Sequence, residues 1–289
     1  MRIGIIIFIC VFLNLPDAGY GQLNKHNKKS DFPYQLSPAQ EICLIGSGTA
    51  LLYAGGRVQT TLDYMSASEV LALKTSSLLF VDRGATTNWD KSLDRTREFF
   101  EPASIVSTIG LIGGLGLSDR ITGESWSVLK TLSLMYLEGA YLTEGMVLLT
   151  KATIKRPRPY TYNSSLSLEQ KVRSANNESF LSGNAGILFY HASFVSLIMH
   201  DMYPDRKWLP YVYAGSHGLA ILSGYWSVKS GMHFPTDILA GALWGSGMAL
   251  LVTHLHKKKN QSLSIHPWSG RNQTGNKISG LSLIIKPKS

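Results

Sequence analysis

The sequence predicts an all-α fold, a bundle of about six core helices embedded in a membrane. Three observations lead there. Charged residues make up only 16% of the 289-residue chain, against 44% hydrophobic ones. Six apolar or amphipathic blocks of helical length recur along it, separated by polar stretches at 22–40, 57–101, 160–180 and 256–289. The three last blocks carry no Asp, Glu, Lys or Arg apart from their flanks, as lipid-facing or core helices require. A mean hydropathy of only +0.03 is modest for a membrane protein, and dilution by the polar stretches accounts for it.

Taken in order, residues 1–21 read as a secretory signal. Arg2 gives a positive start, Ile3 to Leu15 an apolar stretch, and Gly19-Tyr20-Gly21 small residues before Gln22. The same segment also fits an uncleaved anchor helix. Cys10 lies inside it, so removal leaves Cys43 alone and no intrachain disulfide. A polar lead, 22–40, precedes a single helical domain at 41–255, and a basic tail, 256–289, follows it. The tail is expected to be disordered or loosely docked despite its short apolar run Leu281–Ile285.

Within the domain, Ile42–Gly56 and Ala103–Leu117 are apolar blocks. Between them Ser66-Ala67-Ser68-Glu69 matches a capping box, predicting an amphipathic helix through Phe80. Val128–Leu149 is helical by pattern but carries Lys130, Glu138 and Glu144, so its charged side should face the bundle interior or water. Leu181–Met199, Leu209–Val228 and Ile238–Thr253 follow. A span needs roughly 20 residues, which Leu209–Val228 satisfies and Ile238–Thr253 barely approaches. Three full spans after a cleaved signal would put Lys151 in the cytoplasm. Either an early block does not cross, or the first segment stays as an anchor, or the bundle is only partly embedded.

A formal charge of +9 implies anionic partners. Its basic residues do not gather with aromatics into a nucleic-acid stripe, so DNA and RNA are not expected. Phosphate groups and anionic headgroups suit the pattern better.

Three segments carry candidate chemistry, each at a helix end. Lys151-Ala152-Thr153-Ile154-Lys155-Arg156-Pro157-Arg158-Pro159 combines a point charge with guanidinium forks suited to phosphate, and its prolines fix the backbone. Ser179-Phe180-Leu181-Ser182-Gly183-Asn184 leads into an apolar helix that Ser182 can cap, with Gly183 admitting a ligand to N-terminal amides. His233 and Asp237 stand four residues apart, with Pro235 placing His233 in the turn before the helix. A carboxylate beside an imidazole prepares it for nucleophilic or acid–base work. Singly, these segments also fit a membrane-flanking basic turn, a plain helix cap and a structural histidine. His191, His200 and His217 show no metal-ligand spacing around His233.

Together and in this order they resemble the type 2 phosphatidic acid phosphatase and vanadium haloperoxidase superfamily, over about residues 125–255. That family carries K-x6-R-P, P-S-G-H and S-R-x5-H-x3-D. The first motif is complete as Lys151, Arg158 and Pro159; the second keeps Ser182 and Gly183 but has Leu181 for proline and Asn184 for histidine. The third keeps His233 and Asp237, while Trp226 and Ser227 replace Ser-Arg.

The resemblance implies hydrolysis of a phosphate monoester or diphosphate, on a lipid or other small molecule, without a metal or cofactor. His233 would form a phosphohistidine, Asp237 would orient it, and Lys151, Arg158 and the amides near Gly183 would hold the phosphoryl oxygens. Asn184 occupies the general-acid position and has no titratable proton, a loss typically worth ~10²–10⁴-fold. Ser227 lacks the arginine charge, worth ~10²–10³-fold for a single electrostatic donor. Lys229, Lys155 and Arg156 are local cations able to compensate in part, and an acidic leaving group needs the missing proton less.

Two readings follow: an impaired envelope phosphatase with its site on the extracytoplasmic side, or a pseudophosphatase that binds a phosphorylated lipid or a protein partner without turnover. Vanadate-dependent haloperoxidase chemistry ranks below both.

Overall fold

A computed structural model describes residues 32–117, 125–173, 175–258, 263–271 and 277–285. The predicted signal at 1–21 lies outside the described residues. Six long helices form the bundle: α1 (Pro38–Gln59), α2 (Lys91–Gly116), α3 (Ser125–Ile154), α4 (Gly183–Met202), α5 (Leu209–Lys229) and α6 (Pro235–His256). Each expected block is there, most of them extending beyond the apolar stretch they were read from. Asp90 caps α2 by accepting the amides of Ser92 and Leu93, so that helix starts well before the apolar stretch it was read from. Proline opens α1 and α6 at Pro38 and Pro235, where the missing N–H costs nothing.

Two expectations are corrected. The capping box at Ser66 and Glu69 forms, but its helix ends at Leu71 and not at Phe80. Serines and threonines downstream bond backbone carbonyls instead, as Ser77 Oγ does to Lys74 (2.7 Å), and so compete with helix propagation. The chain continues through single turns at Thr75–Ser77, Phe80–Arg83 and Gly84–Thr87. The tail, expected to be disordered or loosely docked, is ordered in part: β1 (Leu263–Arg271) pairs antiparallel with β2 (Lys277–Ile285), with Leu263 opposite Ile285. Leu281–Ile285 is therefore part of a paired strand, which satisfies its backbone groups.

Helices α4 and α6 approach closely because glycines line their crossing. A Cβ at Gly245 would lie 1.9 Å from the Gly186 carbonyl oxygen, and one at Gly241 would lie 2.6 Å from that of Ser182. The same device joins α1 to α3, where a Cβ at Gly145 would meet Leu51 Cβ at 2.6 Å. Small residues four apart at a helix seam are the membrane-protein solution to packing without a hydrophobic driving force. The core between them includes Leu132, Met135, Tyr190, Phe194 and Ile198. Glu138 is buried inside, as its helix pattern required, while Glu144 is half-buried and Lys130 exposed.

Outward faces are apolar. Tyr211 (78% exposed), Ile221 and Tyr225 on α5, with Leu239 and Leu243 (67% exposed) on α6, point away from the bundle. Such a surface is too extensive for water and fits a membrane. Helices α2 and α6 are long and apolar enough to cross one. The last block, marginal from sequence, becomes a 22-residue helix. Gly215, Ser216, His217 and Gly218 dilute α5, which looked the cleaner span.

Gly245→Ala should lower the stability of the purified protein by ~1–3 kcal/mol, the usual cost of overpacking, read from chemical or thermal unfolding in detergent. Gly247→Ala, with nothing within 4 Å of the added carbon, should leave it unchanged.

Candidate active site

The first motif leaves α3 through a forced break. Lys151 closes the helix, Lys155 takes a positive φ of 50°, and Pro157 and Pro159 prevent the chain from resuming it. Arg158 is thereby drawn inward. It is buried, its Nε donates to the Ala175 carbonyl (2.7 Å), and its Nη1 donates to the Met232 carbonyl (3.0 Å). One phosphate-clamp candidate thus also staples the first motif to the residue preceding His233. Alongside, Arg173 lies over the adjoining rings of Trp89 and Tyr160. Burial pushes the Tyr160 hydroxyl above its ordinary value, while Arg173 pulls it the other way.

The second motif opens α4. Ser182 is its N-cap, accepting the Ala185 amide at 3.3 Å, as expected. Gly183 leads the helix, where amides have no intrahelical acceptor. A Cβ at Gly183 would lie 3.6 Å from Lys151 Nζ, so Lys151 reaches across from α3 to the start of α4. Asn184 is buried and its Oδ1 accepts the Ser223 hydroxyl at 3.2 Å.

The third motif spans the α5–α6 turn. Gly231 adopts φ 74°, and a side chain there would strike the Asn88 carbonyl at 2.4 Å, so only glycine fits the turn. Ser227 is fully buried and its hydroxyl donates to the Ser223 carbonyl one turn back. The Ser227 carbonyl accepts the His233 amide at 3.2 Å. Lys229, considered as a stand-in for the missing arginine, lies over the Tyr225 ring on the exposed side of α5.

His233 is 2% exposed and sits in the turn before α6, as Pro235 indicated. Its Nδ1 lies 2.8 Å from the Ser179 carbonyl oxygen, whereas Asp237 Oδ2 is 3.9 Å away. A carbonyl can only accept, so Nδ1 carries a proton, and in the neutral imidazole Nε2 is then the nitrogen with the lone pair. The orienting contact expected from Asp237 is therefore supplied by Ser179, and Asp237 acts one bond removed. Its Oδ2 accepts the Ser179 hydroxyl (2.5 Å) and the Phe234 amide (2.8 Å), fixing both the carbonyl-bearing segment and the turn.

Asp237 is itself anchored by Arg156, which sequence reasoning noted only as a nearby cation. Arg156 Nη1 contacts Asp237 Oδ1 and donates to Thr236 Oγ1 (2.8 Å), and its Nη2 pairs with Asp82 at 2.7 Å. Its guanidinium also covers the Phe234 ring at 4.3 Å. Asp82, fully buried, accepts the Thr236 amide and hydroxyl. Nothing in the sequence singles out Asp82: it lies in a short exposed turn beside Arg83, and only the fold delivers it here. The eight positions singled out from sequence, together with Arg156, Asp82 and Ser179, thus belong to one connected region, built from the ends of α3, α4, α5 and α6. No metal-ligating cluster forms around His233 among the described residues.

Arg156→Ala leaves two fully buried carboxylates without their shared cation. Removing one partner of a buried ion pair costs ~3–5 kcal/mol, so unfolding midpoints should drop sharply. Asp82→Asn, which keeps shape and some hydrogen bonding, should cost clearly less in the same unfolding experiment.

Residues 131–261, which contain every one of the eight positions, match the family model described as PAP2 superfamily. No curated protein matches the chain. A solved structure of a transmembrane PAP2-type phosphatidylglycerolphosphate phosphatase from Bacillus subtilis is similar at 18% identity, covering 72% of this chain and 94% of that one with a TM-score of 0.43. With the ordered motifs gathered at four helix ends inside the matched segment, residues 131–261 belong to the PAP2 superfamily.

Proposed function

We propose that this chain is an exported membrane phosphohydrolase that acts slowly on a lipid phosphate or diphosphate through a phosphohistidine on His233, its site facing the extracytoplasmic side. The observation carrying this reading is the contact of His233 Nδ1 with the Ser179 carbonyl, which leaves Nε2 as the nucleophilic atom. Lys151, at the start of α4, and the first amides of that helix supply positive potential for phosphoryl oxygens. In the step proposed, an Nε2–P bond forms as the bond from phosphorus to the leaving oxygen breaks. Water then attacks phosphorus, releasing phosphate and restoring the imidazole. Asn184 cannot hand a proton to the leaving oxygen, so a leaving group that is already acidic, such as the phosphate of a diphosphate, suits this site best. Residues 1–21 support export by their sequence pattern, and the apolar faces of α5 and α6 support a lipid-borne substrate.

A second reading rests on its own observation. Asn184 is engaged by Ser223, Ser227 is turned into its own helix, and Arg158 donates to two backbone carbonyls. A region so occupied by internal bonds fits a pseudophosphatase that recognises phosphorylated lipid without turnover.

Assays of the purified protein on lipid monophosphates and diphosphates separate the two. The enzyme reading expects measurable turnover, faster on diphosphates by at least ~10²-fold, the low end of what a missing general acid costs, and abolished by His233→Ala. Phosphate-ligand binding without turnover supports the second reading and overturns the first, and turnover that survives His233→Ala overturns the first.

A further inference from the structure

At the far end of α6 from His233, two buried side chains and one half-buried one converge from helices distant in sequence. Glu41 comes from the first turn of α1, Glu138 from the middle of α3 and His256 from the last position of α6. A ligand atom from each lies within 4.8 Å of the others. His256 Nε2 is 3.1 Å from Glu41 Oε1 and 3.3 Å from Glu138 Oε2. Glu138 and His256 are fully buried, and the Glu41 side chain is 13% exposed.

Too few protons face too many oxygens here. Neither oxygen of Glu138 has a hydrogen-bond partner, and Glu41 Oε2 is likewise buried without one. His256 Nδ1 lies 2.7 Å from the Val252 carbonyl, so it holds a proton and donates. The remaining nitrogen, Nε2, offers at most one proton to the whole carboxylate pair, and as a neutral imidazole it offers a lone pair instead. Two carboxylates held together in a dry interior are stabilised by a shared proton or by a compensating cation. Nearby, Lys257 pairs with Asp201 at 2.6 Å, and Tyr34 donates to the same carboxylate.

We infer that Glu41, Glu138 and His256 form a binding site for a divalent transition-metal ion of the Zn2+ or Mn2+ kind. One imidazole nitrogen with carboxylate oxygens is a donor set such ions take, at bond lengths of roughly 2.0–2.2 Å for zinc, so three mutually close donor atoms can close on one ion. The supporting contacts are of the type that orient metal ligands. Val252 fixes the His256 tautomer so that Nε2 faces inward, and the Ser37 amide donates to Glu41 Oε1 at 3.1 Å. No sequence spacing betrays the site, because each ligand comes from a different helix.

Its place in the fold assigns the role. Helix α6 is 22 residues long, so the site lies about 30 Å from the nucleophile end and takes no part in phosphoryl chemistry. It instead ties α1 and the segment before it to α3 and α6. That segment already docks at the same end, with the Gln35 amide donating to the His256 carbonyl and the Lys258 amide to that of Pro33. The ion acts as a staple for the first helix of the bundle.

The test uses the full chain purified in detergent, stripped with EDTA, dialysed and titrated calorimetrically with ZnCl2 and, separately, MnCl2. The expected result is one equivalent bound by at least one of the two ions and a raised unfolding temperature. Glu138→Gln and Glu41→Gln should each weaken binding by at least ~10-fold, since each removes a ligand where even supporting contacts matter that much. Should Glu138→Gln fail to fold, the Co2+-loaded wild type supplies the readout through visible ligand-field bands of nitrogen and oxygen donors, lost in Glu41→Gln. Absence of stoichiometric binding by either ion overturns the inference, and so does affinity unchanged in the glutamine variants. A cluster that merely shares a proton would produce that first outcome.

Discussion

Arg156 holds this region together. Its guanidinium binds two buried carboxylates, Asp82 from a short turn before α2 and Asp237 from the first turn of α6, and it lies over the Phe234 ring between them. Each carboxylate then passes the constraint on. Asp82 holds the Thr236 backbone and hydroxyl, while Asp237 holds Ser179 and Phe234. His233 is positioned from both sides, by the turn that Asp237 closes and by the Ser179 carbonyl that Asp237 anchors. A planar, permanently charged fork suits this role, because lysine could not serve both carboxylates with fixed geometry.

Much of the bundle was legible in the sequence, and the reasons are particular. Leu181–Met199 reads as a helix since nothing charged interrupts it and Ser182 offers a cap, and the structure opens α4 at Gly183. Pro235 correctly placed His233 outside the helix. The tail misled because its polar composition hid the pairing of Leu263–Arg271 with Lys277–Ile285, a non-local ladder that composition does not report. The amphipathic pattern after Ser66 misled because serine and threonine side chains compete for the backbone bonds a helix needs.

The region around His233 was legible only as far as motif spacing reaches. Lys151, Arg158, Ser182, Gly183, His233 and Asp237 are found by order and interval. Asp82 and Ser179 act through burial and hydrogen bonds that only the fold delivers, and no motif spacing singles out either. The expected Asp237–His233 contact illustrates the same limit: spacing of four brings the residues near, yet the bond itself goes to a carbonyl that only the fold supplies. Asn184 and Ser227 are both buried and hydrogen-bonded within the bundle, Asn184 to the Ser223 hydroxyl and Ser227 to the Ser223 carbonyl.

The central claim is that His233 presents Nε2 as a nucleophile to phosphorus. Rapid quenching of the protein with a phosphorus-labelled lipid diphosphate tests it most directly. The account predicts a label that is stable in alkali and lost in acid, as a phosphohistidine is, mapping to the peptide that contains His233 and absent from His233→Ala. A substrate turned over with no such intermediate, or a label carried by another residue, would contradict it.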